Sequence, residues 1–60
     1  MRYRVCVRTY FGNGARPYLW RSSNLYDITS ATELAQLAQE FRDDQTREYV
    51  VGIDAWLEPA

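Results

Sequence analysis

Sixty residues make one domain at most, and 47% hydrophobic with 15% aromatic content supplies more large apolar surface than disordered chains carry. A formal net charge of −1 argues against a generic polyanion binder. The absence of histidine removes the commonest general base and nitrogen metal ligand, and a single cysteine, Cys6, excludes an intramolecular disulfide or a thiolate zinc site within one chain. One cysteine favours a reducing, cytoplasmic compartment, and the N-terminal run Met1 to Arg8 alternates charged with apolar residues instead of forming a signal or membrane segment.

The charge is unevenly spread. Residues 1–25 carry Arg2, Arg4, Arg8, Arg16 and Arg21 with no acid, whereas residues 26–60 carry eight acids against Arg42 and Arg47, a balance of 2 − 8 = −6. All seven basic residues are arginine, which codon bias in a GC-rich genome explains without selection for arginine chemistry.

Residues 2–11 alternate, with Tyr3, Val5, Val7, Thr9 and Phe11 on one side and Arg2, Arg4, Cys6, Arg8 and Tyr10 on the other, the pattern of a half-buried strand. Gly12-Asn13-Gly14 follows, and Asn-Gly is a strong hairpin signal because both residues tolerate the positive φ of a type I′ turn. A second strand is expected over 16–22. A two-residue loop at Asn13-Gly14 pairs Thr9 with Tyr18, Val7 with Trp20 and Val5 with Ser22, sends Tyr18 and Trp20 into the core, and sets Arg8 opposite Leu19 and Cys6 opposite Arg21. A three-residue Gly-Asn-Gly loop would shift the pairing by one and turn both aromatics outward.

Ser22-Ser23-Asn24 and Asp27 mark a loop, and Ser30-Ala31-Thr32-Glu33 has the form of a capping box that opens a helix over 31–43. Ala31, Leu34, Ala35, Leu37, Ala38 and Phe41 make its apolar stripe, with Thr32, Glu33, Gln36, Gln39, Glu40 and Asp43 facing water. A last strand is expected over 48–57, with Tyr49, Val51, Ile53, Ala55 and Leu57 on one side, Val50, Asp54, Trp56 and Glu58 on the other, and Pro59 helping to stop it. A right-handed crossover through the helix then gives an α+β domain of ββαβ order, a three-stranded antiparallel sheet ordered 2-1-3 with one amphipathic helix on one face.

No catalytic set, cofactor motif or metal site is expected. Cys6 flanked by Arg4, Arg8 and Arg21 reads as a structural strand residue, Asp43-Asp44 as solvated acids, and Gly12-Asn13-Gly14 as a turn, because phosphate-loop glycines lead from a strand into a helix.

Two surfaces are candidates for binding a partner. The open sheet face gathers Arg4, Arg8, Leu19, Arg21 and Trp56 with Tyr10, Val50 and Asp54, and Glu58 at its margin. It reads as a ladder of arginine-carboxylate pairs, as a protein interface rich in arginine and tryptophan, or as a stacking platform for single-stranded RNA. The acidic end of the helix gathers Glu40, Asp43 and Asp44, with Glu33 two turns earlier and Glu48 just beyond. Acids at a helix C-terminus oppose the macrodipole, so they do not serve the helix. They are ordinary solvated charges or an imitation of nucleic-acid phosphates, since Glu40 and Asp44 rise about 6 Å apart.

In length, in lacking a catalytic set, and in its split between arginine-aromatic and acidic surfaces, the chain resembles the small phage-encoded anti-CRISPR proteins. The resemblance is one of size and character, without a shared motif. It implies a non-enzymatic inhibitor in the host bacterial cytoplasm that binds a protein subunit of a CRISPR or other nucleic-acid-handling complex, sterically or by imitating DNA. The net charge of −1 departs from the strongly acidic members and points to a local patch instead of whole-surface mimicry. The alternatives are an RNA- or DNA-binding module using the sheet face and a self-associating subunit that hides it, so the expected state is a monomer or weak homodimer.

Overall fold

A computed structural model of the chain describes residues 1–44 and 50–60, with the side chains of 41–44 outside the described part. Its elements are β1 (Tyr3–Phe11), β2 (Tyr18–Arg21), α1 (Ile28–Asp44) and β3 (Val50–Pro59), and the sheet is antiparallel in the order β2-β1-β3. This is the expected α+β architecture. Val5, Cys6 and Ala31 are the fully buried apolar residues among those described, and Ala31 has no side chain large enough to hold α1 away from the sheet.

The hairpin register is the expected one, with Thr9 opposite Tyr18, Arg8 opposite Leu19, Val7 opposite Trp20 and Cys6 opposite Arg21. The turn that produces it differs. Only Gly14 has positive φ, at 87°, so the type I′ turn does not form; Asn13 instead accepts the Ala15 N–H on its side-chain oxygen at 3.1 Å. β2 starts at Tyr18 and not at residue 16, because Pro17 has no N–H to donate to a ladder.

The Tyr18 and Trp20 expectation fails in its second half. Both share the side of the sheet that bears the helix, yet they are 59% and 46% exposed. The helix packs over β1 and β3 and its backbone does not approach β2, so facing the right way leaves both aromatics only partly covered.

The helix starts three residues earlier than the Ser30 capping box predicts. Asp27 is the cap: its Oδ1 accepts the Ser30 N–H at 2.8 Å, and its carbonyl accepts the Ala31 N–H at 2.9 Å. A two-way backbone bridge between Tyr3 and Tyr26, both bonds 2.8 Å, holds the chain just before that cap. Ala31, Ala35 and Ala38 form the inward stripe, while Leu34 and Leu37 are exposed, against their expected burial. The side chain of Phe41 lies outside the described part.

β3 reaches Pro59, two residues past the expected end. Pro59 sits opposite Tyr3 on an edge strand, where a missing N–H costs no ladder bond. Near its start the register slips: Tyr10 faces Gly52 but Phe11 faces Val50, so Val50 joins the helix side and Val51 is left 55% exposed. Val50 thus leaves the open face expected for it, and Val51, expected on the helix side, has no partner on β1. Glu48 and Tyr49 lie outside the described residues. No helix among the described residues is long and apolar enough to cross a membrane.

Candidate functional site: the sheet face and the acidic helix face

The open sheet face is built by alternation. Arg4, Cys6 and Arg8 of β1 stand opposite Glu58, Trp56 and Asp54 of β3, and Leu19 and Arg21 of β2 complete the set. Its centre is Cys6, fully buried under longer neighbours. The Cys6 thiol donates to Glu58 Oε1 at 2.9 Å, and the same oxygen takes the Arg21 Nε–H at 3.0 Å. Burial, then the hydrogen bond and charge of Glu58, push the Cys6 thiol above its ordinary pKa. Hydrogen bonds from Cys6 and Arg21 hold the Glu58 carboxyl below its own. A protonated, covered thiol is a poor nucleophile, which agrees with a structural Cys6.

The arginines of this face are engaged within the chain. Arg21 pairs with Glu58, the guanidinium of Arg8 lies 5.3 Å from the Trp56 ring centroid, and Arg4 donates to the Ser22 carbonyl at 2.7 Å. The sheet-face residues therefore come together, and they do so as a lid over Cys6.

The acidic residues divide. Glu33 and Glu40 are exposed on the side of α1 that points away from the sheet, with Leu37 between them at 56% exposure. Positions 33, 37 and 40 are spaced by four and three residues and so form one stripe, in which the two glutamates rise about 10 Å apart. A shallow depression of about 240 Å³ lies among Glu33, Gln36, Leu37 and Glu40. Asp44 continues this stripe by helical position and Asp43 lies beside it in the same turn, both in the last turn of α1; Glu48 lies outside the described residues. Leu37 is the member that sequence reasoning misplaced, although its spacing from Glu33 and Glu40 could have found it.

A second open groove, about 550 Å³, runs between α1 and β3 past Ala35, Gln36, Ala55 and Leu57, with Glu40 at its rim. Beside it Gln39 Nε2 donates to the Ile53 carbonyl at 2.6 Å. Among the described residues no three acids or cysteines converge as a metal site would require. No protein-family model, curated protein or solved structure matches the chain.

Proposed function

We propose that this chain is a small non-enzymatic binding protein of the anti-CRISPR kind, which blocks a nucleic-acid-handling complex by docking the outer face of α1 on a basic protein surface. The observation that carries this reading is the stripe Glu33-Leu37-Glu40, in which two exposed carboxylates, in no ion pair among the described residues, flank an exposed leucine. Among the described residues the one ion pair is Arg21–Glu58, on the other side of the molecule. An apolar contact ringed by charge is the mix of a protein interface, and its acidic rim selects a basic partner. Helical position adds Asp43 and Asp44 to the same end.

Nucleic-acid binding by the sheet face is the weaker reading, because Arg4, Arg8 and Arg21 already have partners and Trp56 is covered by Arg8. The test is co-elution of the purified chain with purified CRISPR effector complexes of different types on a sizing column. Retention by one of them, lost in the double charge reversal Glu33→Lys, Glu40→Lys, supports the proposal. Retention unaffected by the reversal moves the interface off α1, and retention by none opposes the anti-CRISPR reading.

A further inference from the structure

The sheet has two outer edges, and they are treated differently. On β3 the Ala60 N–H bonds back to the Arg2 carbonyl at 3.0 Å, so even-numbered positions face β1 and odd-numbered ones face outward. That edge is interrupted: Gln39 takes the outward Ile53 carbonyl, Pro59 has no outward N–H and the irregularity at Val51 breaks the line, so that Ala55 and Leu57 are what remains of its outward-facing ladder, with no exposed aromatic beside them. On β2 the Ser22 N–H bonds to the Val5 carbonyl at 2.9 Å, so Leu19 and Arg21 present their backbone N–H and C=O outward. Among the described residues nothing bonds to those groups. Beside this open edge Tyr18 and Trp20 stand exposed on the helix side. Leu34, about 140° around α1 from Gln39, lies on the side of the helix away from the β3 edge and is exposed.

We propose that β2 pairs antiparallel with β2 of a second copy of this chain, about a two-fold axis at Leu19, giving a six-stranded sheet with both helices on one side. Only an even register keeps helix-side residues together across such an axis. Leu19 then faces the partner's Leu19, with two backbone bonds, and the Arg21 N–H reaches the partner's Pro17 carbonyl, twice by symmetry. The missing N–H of Pro17 costs a single bond at each rim. On the helix side Tyr18 faces the partner's Trp20 and Trp20 the partner's Tyr18, so one strand supplies both halves of two aromatic cross-strand pairs. A foreign strand would have to bring its own aromatics at that spacing.

Charge opposes the pairing only at the rims. Arg21 is compensated by Glu58, and the two copies of Arg21 fall four residues apart, about 13 Å, beyond the screening length of about 8 Å at physiological salt, while each Arg16 falls one position from the partner's Arg21.

The inference is independent of what the α1 stripe binds. It is tested by sedimentation equilibrium of the full chain under reducing conditions from micromolar to millimolar concentration. The expected result is a mass rising from one chain to two, with association weakened about tenfold or more by Trp20→Glu, a substitution at a half-exposed site whose fold is checked by circular dichroism. Leu19→Cys adds a positive test: a paired Cα separation of about 5.5 Å permits a disulfide across the axis, so oxidation gives a covalent dimer that Arg16→Cys, at the rim, does not. A single-chain mass throughout, or a dimer equally strong in Trp20→Glu, overturns the proposal, as does failure of Leu19→Cys to cross-link.

Discussion

Cys6 Sγ lies 2.9 Å from Glu58 Oε1, and that oxygen also holds Arg21 at 3.0 Å, so one carboxylate closes the open sheet face over the most buried side chain of β1. Two titrations follow. Glu58 is held below its ordinary 4.5, so its stabilisation is complete above pH 4.5 and is lost as pH falls through the lowered value. Cys6 is raised above its ordinary 9.0, so its stabilisation is complete below pH 9.0 and is lost as pH rises through the raised value. Thermal melts should show a shoulder at each end, and Glu58→Gln should flatten the acid one. The native thiol should react with a disulfide reagent at least about 100-fold more slowly than in denaturant. Equal rates would mean that the lid over Cys6 is open.

The helix cap is Asp27 and not Ser30. Asp27→Ala should lower the melting temperature by about 5 °C, while Asp27→Ser restores most of the loss and Ser30→Ala costs less than Asp27→Ala. Asp27 is itself held below its ordinary 3.8, first by the Ser30 backbone N–H, so its contribution fades as pH falls below that value. A larger loss from Ser30→Ala than from Asp27→Ala would restore the capping box.

Ser22 is 2% exposed, accepts the Val5 N–H at 3.0 Å and donates to the Asn24 carbonyl at 2.8 Å. Removing its hydroxyl leaves both backbone groups without that partner, so Ser22→Ala should cost about 1–3 kcal/mol in urea unfolding. Exposed Ser23→Ala should stay within about 0.5 kcal/mol of the parent.

Gly12 is constrained by a neighbour. A Cβ there would stand 2.8 Å from Val51 Cγ1, and valine is stiff about χ1. Gly12→Ala should destabilise the chain, and Val51→Ala should relieve most of that loss, with a coupling of about 1 kcal/mol in a double-mutant cycle. Gly14 needs its glycine for φ and not for space, so no substitution at Val51 should rescue Gly14→Val.

The hairpin register was legible as one of two: the two-residue loop at Asn13-Gly14 sets Thr9, Val7 and Cys6 against the partners observed, and the three-residue loop would have shifted each by one. Strand order was legible from the alternation of β1 and the single helical stretch. The exposure of Tyr18 and Trp20 was not, since it depends on α1 lying over β1 and β3. Nor was the Val51 irregularity, which only the pairing of two strands distant in sequence defines. On the acidic helix face the residue types and the spacing of Leu37 from Glu33 and Glu40 were readable, but that this stripe faces outward followed only once the alanines took the inward side.

The central claim, that the acidic stripe of α1 disarms a nucleic-acid-handling complex, is tested most directly by target-DNA binding. Purified CRISPR effector complexes of several types are titrated with the chain and assayed by mobility shift. The account predicts that one complex loses its target DNA at stoichiometric inhibitor, and that Glu33→Lys with Glu40→Lys restores binding. Undiminished DNA binding by every complex, or inhibition that survives the double reversal, would contradict it.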